Sequence, residues 1–435
     1  MHRGRRGRVY RAVDVVEVRI WDQTVGAVAL DPRSGYYAFE FDPRFIRTGI
    51  DLAPLEMSTA RGRGPFVFPD LPENTFRRLP AMLADALPDR FGNALITAYL
   101  ERQGVRAGDI TVLDRLAYMG KRGFGALEFR PSRGPRPTPK QTALELSELV
   151  EQARRAVAGK LSDPHAKAAL MNLIRVGTSA GGARAKAAIA WNPETREVRA
   201  GQFEVAPGFE HWLLKFDGVG EDSELGISKH YGRIEYAYFL MARGAGIVIS
   251  DCRLLEEGGR AHFMTRRFDR DGSQKHHLQT LCAMAHLDYN QRATHDYAQF
   301  FMTIDALGLG EAARAEAFRR VAFNVMARNH DDHAKNLSFV LHRGGVWELA
   351  PAYDLTHAYN PRGTWTYQHL MSVNGKFDDI SRNDLLILGA RFNVPGVTTL
   401  LGEVGESVAG WARHAAAAAL PADETERVRR DLLLL

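Results

Sequence analysis

Residues 329–336 read Asn-His-Asp-Asp-His-Ala-Lys-Asn, and Asp354 follows in the segment Leu-Ala-Pro-Ala-Tyr-Asp-Leu. An aspartate that accepts a hydroxyl proton, followed five positions on by an asparagine that holds Mg²⁺, is an arrangement phosphoryl transfer uses. Asp331 and Asn336 have that spacing. After them, LSFVL and VWELA are apolar, β-prone runs separated by the turn signal HRGG, which predicts a tight hairpin. Such a hairpin returns the chain so that Asp354 can face Asn336. Two oxygen ligands on one Mg²⁺ suit a triphosphate, because the metal bridges and neutralises its charge.

Two plainer readings compete. His330, Asp331, Asp332 and His333 offer imidazole and carboxylate, the usual ligands of zinc. Lys335 beside them, and the lack of an accompanying Cys or Glu-rich motif, weigh against a zinc site. The stretch could also be a polar loop ending the helix AFNVMARNH, since short motifs recur by chance.

The elements that must position these groups lie upstream. Residues 177–186, GTSAGGARAK, form a small-residue loop that runs into AAIAW, which reads as a strand. Glycines let backbone N–H groups approach phosphate oxygens and form an anion nest. The loop is neither a Walker A sequence nor G-x-G-x-x-G, and a plain turn is the alternative. HWLLKFD then places Lys215 near the end of an apolar run, as a point charge for phosphates or as an exposed strand lysine. Residues 234–241 carry apolar side chains at helical spacing. Glu235 near that helix start could pair with Lys215, or sit in solvent favoured by the helix dipole. AHFMTRRFDR reads as a strand whose end, Arg266, Arg267 and Phe268, is a candidate crossing between lobes. Backbone groups there could meet an adenine edge; a basic strand end is the alternative. The order, from Gly-rich loop through strand lysine, helix glutamate and crossing strand to the Asp331 loop and Asp354, is that of protein kinases.

The chain has 435 residues, 45% hydrophobic and 25% charged, an ordinary globular composition with room for two lobes. Its two cysteines, Cys252 and Cys282, offer no disulfide framework, which suits a reducing cytoplasm. No apolar run is long enough to predict a membrane span. The start, MHRGRRGRVYR, is basic without a following apolar region, so it does not read as a secretory signal. It reads as a solvated arm, with contact to DNA as the alternative. A net charge of +5 suits a partner carrying phosphates without identifying one.

Along the chain, VVEVRIW, TVGAVAL and YYAFEF alternate as short strands do, with DPRSG as turn chemistry. RLPAMLADALPDRFGNALITAYLERQG predicts helix, with Gly104 as its stop. YMGKRGFGALEFRP returns to loop and strand. RPSRGPRPTPKQ reads as an exposed linker, and residues 142–160 as a helix. Residues 278–329 read as mostly helical, and GWARHAAAAAL and ADETERVRRDLLLL as two further helices. The expected fold class is α+β: a two-lobed, protein-kinase-like fold with a β-containing N-terminal lobe and a mainly helical C-terminal lobe. The expected divisions are residues 1–130 (an extra N-terminal subdomain), 131–266 (the rest of the N lobe, with the phosphate-binding loop and lysine strand) and 267–435 (the helical C lobe, with the catalytic loop).

These motifs together resemble the HipA family, the serine/threonine-kinase toxins of type II toxin–antitoxin modules. The resemblance rests on ALPDRFGN, MGKRGFGALEF, TSAGGARAK, HWLLKF, RRFDR, DDHAKNLSF, LAPAYDL and HLMSVNGKFDDI. It implies Asp331 as catalytic base, with Asn336 and Asp354 as Mg²⁺ ligands. It implies ATP contacts from Ala180, Gly181, Gly182, Ala183, Arg184, Ala185 and Lys186, from Lys215, and from Arg266, Arg267 and Phe268 at the hinge. His333, Lys335, Asn336, Tyr353 and Asp354 would complete the ATP site. Ser179 matches the family's autophosphorylated, self-inactivating serine. Phosphate there would bring nearly two negative charges into a loop arranged for ATP. The family further implies a protein target, aminoacyl-tRNA synthetases being known ones, and a small helix-turn-helix antitoxin, HipB-like, that binds operator DNA. A role mainly as co-repressor partner of that antitoxin, or as a small-molecule kinase, is the rival to a toxin kinase. The resemblance implies a cytoplasmic protein. Arg266, where relatives often carry an acidic residue, is a departure that bears on nucleotide contacts.

Overall fold

The computed structural model describes residues 10–88, 90–135, 185–219 and 230–435. The loop residues 177–184, including Ser179, lie outside the described residues, as do the basic arm to residue 9, most of the linker and the helix expected at 142–160.

The three predicted N-terminal strands form as β1 (Val15–Ile20), β2 (Gln23–Leu30) and β3 (Tyr37–Phe41). A fourth, β4 (Glu128–Arg130), pairs antiparallel with β1 and gives the order β3-β2-β1-β4. Val16, Val18 and Ile20 alternate into the core, as the period-two geometry of a strand requires. The helix Arg90–Glu101 stops short of Gly104, whose φ of +86° a residue with a Cβ rarely adopts. A capped helix, Val112–Met119, was not foreseen; Thr111 and Asp114 form its capping box.

A second, five-stranded antiparallel sheet contains β5 (Lys186–Trp191), β6 (Val198–Ala200), β7 (Glu210–Lys215), β8 (Cys252–Glu257) and β9 (Arg260–Arg266), in the order β6-β5-β7-β9-β8. Ile189, Trp191, Trp212, Leu214 and Met264 share one apolar cluster in this sheet. Leu213 and Lys215 therefore occupy the opposite face, where the helix Tyr231–Gly244 packs. Gly232 permits that packing: a Cβ there would run into the Ala261 carbonyl oxygen on β9. Close approach of the helix start brings Glu235, less than one turn further on, down to Lys215.

The C-terminal half is mainly helical, with Tyr297–Ala306, Gly310–Met326, Arg382–Arg391, Val397–Ala409, Trp411–Ala417 and Ala422–Asp431 around a shared core. The predicted hairpin forms from Ser338–Leu341 and Trp347–Leu349. The expectation of helix from residue 278 needs one correction. His277–Thr280 is a strand on the hairpin edge, because its backbone pairs with Ser338–Leu341. Pairing across sixty residues of sequence leaves no local periodic mark.

Candidate active site

The helix Gly310–Met326 ends at Ala327, and the chain turns through Arg328 in a left-handed conformation before entering residues 329–336. Asn329, His330 and Asp332 are buried, and they hold the loop from beneath. Asp332 accepts hydrogen bonds from Tyr297 Oη at 2.7 Å and from Leu370 N at 2.7 Å, and its Oδ2 lies 2.7 Å from His369 Nδ1. His330 Nδ1 is 3.1 Å from the Thr366 carbonyl oxygen, and burial drives its pKa down to about 2, so the ring is neutral. Asn329 Nδ2 donates to Asn324 Oδ1 at 2.9 Å, and Asn324 Nδ2 donates to Tyr297 Oη at 2.9 Å. Asp332 is thus committed to the scaffold, and His330 is anchored to it through Nδ1. Among the described residues no group of three or more His, Cys, Asp or Glu is arranged to hold a metal.

With Asp332 turned inward, Asp331 turns outward. About half of its side chain remains exposed, at 51%. The walls of the cleft desolvate the carboxyl and raise its pKa; His333 opposes this, while Asp354 and Asp332 add to it. His333 Nε2 lies 3.6 Å from Asp331 Oδ1. Asn336 Nδ2 donates to the Asp331 carbonyl oxygen at 2.7 Å, so the two ends of the D-x-x-x-x-N motif close on each other.

Asp354 is delivered by the hairpin and sits at φ +56°, a left-handed conformation that costs a side-chain residue roughly 1–2 kcal/mol unless its surroundings fix it. What fixes it is charge. Lys215 Nζ contacts Asp354 Oδ1 and Glu235 Oε1, and Lys186 Nζ lies 3.5 Å from Asp354 Oδ2. Burial alone would push the Asp354 carboxyl up, but the Lys186 and Lys215 ammoniums hold it far below the usual range. Burial would likewise lower Lys215, and Asp354 with Glu235 outweighs that and raises it. The Lys215–Glu235 pairing is therefore realised, and Glu235 is buried rather than solvated. Lys186 differs from expectation in place: it is the first residue of β5, directly opposite Lys215 on β7, rather than part of a loop.

Tyr353 joins the two halves of the site. Its Oη donates to the Lys335 carbonyl at 2.6 Å and contacts Ser338 Oγ, and its ring stacks on Phe268 at 5.9 Å between centroids. Lys335 Nζ lies 4.8 Å from the centre of the Tyr289 ring. At the crossing, Arg266 N donates to Asp251 O and Arg267 N to His211 O, so both N–H groups serve the sheet. The Arg266 side chain is half exposed and 3.6 Å from Glu210. The Arg267 guanidinium is buried against Asp269, which removes it from contact with a ligand; Phe268 is the crossing residue whose side chain meets another candidate site residue. Ala185 is buried at the mouth of β5, while Ala180, Gly181, Gly182, Ala183 and Arg184 lie outside the described residues. The anchors Asp332, Tyr297 and His369 were not assigned these roles from sequence; their only mark there was the doubled aspartate of DDHAKN and the HLMSVNGKFDDI motif.

Fold and site together define a two-lobed α+β chain of kinase-like architecture, with carboxylates and lysines gathered at the junction of sheet and helices. The HipA-like C-terminal domain matches residues 178–430 and the HipA N-terminal domain matches residues 16–130. The chain belongs to the HipA family. Its fold is similar to that of HipA from Shewanella oneidensis MR-1, solved with HipB and operator DNA, with a TM-score of 0.67, 17% identity, and coverage of 95% of this chain and 94% of that one. The proinflammatory kinase CtkA from Helicobacter pylori is a fainter likeness, with a TM-score of 0.31, 14% identity, and coverage of 48% of this chain and 92% of that one. No curated protein matches the sequence. Among the described residues no helix is long and apolar enough to cross a membrane.

Proposed function

We propose that this chain is a toxin-type serine/threonine protein kinase that transfers the γ-phosphate of ATP with Mg²⁺. The observation that carries this reading is the closure of Asn336 onto the Asp331 carbonyl beside the Lys215–Glu235 and Lys215–Asp354 contacts. Asp331 is exposed to the cleft, where it would orient the target hydroxyl and accept its proton. Its pKa, raised by desolvation, strengthens it as a base.

Asp354 and Asn336 fit Mg²⁺ by the chemistry of their donors, a carboxylate held ionised and an amide oxygen, both hard ligands. The Asn336 bond to Asp331 orients the amide by its nitrogen and keeps Oδ1 for another partner. When bound, the metal would neutralise phosphate charge. Lys215 and Lys186 would place two further positive charges on the phosphates, and Glu235 would hold Lys215 in position. The barrier would fall mainly through positioning and electrostatics, which suits a loose transition state.

Autophosphorylation at Ser179, self-inactivation, and partnership with a helix-turn-helix antitoxin and through it operator DNA complete the proposal. Family membership supports them, and the similar Shewanella structure is of a complex with HipB and operator DNA. The test is incubation of the purified chain with Mg²⁺ and γ-labelled ATP, alone and with cell lysate, followed by phosphoamino-acid analysis. Label on serine or threonine of a discrete lysate protein supports the reading. Label confined to a small molecule would replace it with small-molecule kinase activity.

A further inference from the structure

The short strap that follows β9, residues 267–270, carries a buried charge cluster that the phosphoryl-transfer machinery does not use. Asp269 is 2% exposed and Arg267 4% exposed. Arg267 Nε and Nη2 donate to Asp269 Oδ1 and Oδ2 at 2.9 and 2.7 Å, and Arg270 Nη1 donates to Asp269 Oδ2 at 2.7 Å.

This cluster reaches out of its own half of the molecule. Gly125 N, from the loop before β4, donates to Asp269 Oδ2 at 2.8 Å. Arg270 donates in return to the carbonyls of Gly125 at 3.0 Å and Gly123 at 2.8 Å. Phe124 lies under the Arg267 guanidinium at 4.2 Å. Gly125 has φ +73°, and a Cβ there would come within 3.0 Å of Leu278 N, so the loop can lie this close only with glycine. A single carboxylate thus ties two arginines to the backbone of the N-terminal subdomain.

Between Asp269 and the paired residues of β9 stands Phe268, stacked on Tyr353, whose neighbour in sequence is Asp354. Resting on the kinase reading, we propose that Asp269 is a positioning residue for the nucleotide cleft. It fastens the strap to the Gly123–Gly125 loop and thereby seats Phe268 against Tyr353. The N-terminal subdomain is then part of the nucleotide-binding apparatus and not only an appended module. Asp269 touches no reacting atom; it acts through Phe268.

The consequence is a split between binding and chemistry, because Asp331, Asn336 and Asp354 are held by other contacts. Mg²⁺-ATP binding and steady-state transfer are measured on the full chain, for the wild type, Asp269→Asn and Phe124→Leu. Thermal unfolding of each variant shows whether it is folded. Phe124 borders the cluster without charge, so its loss loosens the clamp even where Asp269→Asn fails to fold. The expected result is a rise in Kd and KM for ATP of about tenfold in Asp269→Asn and a few-fold in Phe124→Leu, with kcat within about twofold of wild type. Equal ATP affinity in wild type and folded variants would overturn the positioning role. A fall in kcat with unchanged KM would do so as well. A wild type that binds no Mg²⁺-ATP would instead defeat the kinase reading itself.

Discussion

Lys186 and Lys215 lie directly opposite each other on adjacent antiparallel strands, with both ammoniums directed at the Asp354 carboxylate. Like charges in cross-strand register repel. The shared carboxylate, with Glu235 behind Lys215, makes the arrangement tenable in a buried setting. Asp354→Asn should therefore lower stability by about 2–4 kcal/mol, since it leaves buried ammoniums short of counter-charge. Adding Lys186→Met should recover part of that loss. Urea unfolding of the two single variants and the double variant checks this, and strict additivity would contradict a shared counter-ion.

The same site sets a pH dependence. The folded-state pKa of Asp354 lies below its unfolded value near 3.8, so its contribution to stability is fully present above that value. It is lost as pH falls from there toward the folded pKa. Asp269 behaves alike, its pKa held low because Arg267 and Arg270 outweigh its burial. Wild-type stability should fall below pH about 4, and Asp354→Asn should flatten part of that slope. A slope unchanged by the substitution would mean that Asp354 is not the titrating group.

Asp331 shifts in the opposite direction. Its carboxyl is raised by desolvation, so its ionised form is lost at a higher pH than for an ordinary aspartate. The acid limb of kcat/KM for transfer should accordingly lie above the ordinary aspartate value of 3.8. An acid limb at or below that value would remove Asp331 from the role of base.

Asp332 anchors the loop without facing the cleft. Asp332→Ala would leave Tyr297 Oη, Leu370 N and His369 Nδ1 without their buried partner. The expected costs are about 3 kcal/mol of stability and roughly a hundredfold in kcat, because a base displaced by about 1 Å loses its alignment. Asp332→Asn keeps the shape and one acceptor oxygen, and should fall between wild type and alanine on both scales. Full activity in Asp332→Ala would show that the loop is held by other means.

Much of the site could be read along the chain because its parts occupy fixed local spacings. Asp331 to Asn336 is one loop, and the hairpin that returns Asp354 is short and framed by a turn signal. Lys215 and Glu235 were legible as candidates, but whether they met depended on Gly232 letting the helix settle on β9. What stayed hidden was non-local. Strand His277–Thr280 exists because its backbone pairs with Ser338–Leu341. Likewise, Asp332 has Tyr297 and His369 as partners thirty-five and thirty-seven residues away. The clamp of Asp269 on Gly125 spans one hundred and forty-four residues, and no periodicity or composition records a contact of that kind.

The central claim is that Asp331 performs chemistry while the rest of the site holds ATP. It is tested most directly by Asp331→Asn, measured for Mg²⁺-ATP affinity and for transfer of γ-labelled phosphate beside the wild type. Affinity should stay within about threefold of wild type, and transfer should fall by at least about a thousandfold. Transfer that persists at wild-type rates in a folded Asp331→Asn protein would contradict that claim and move the base elsewhere.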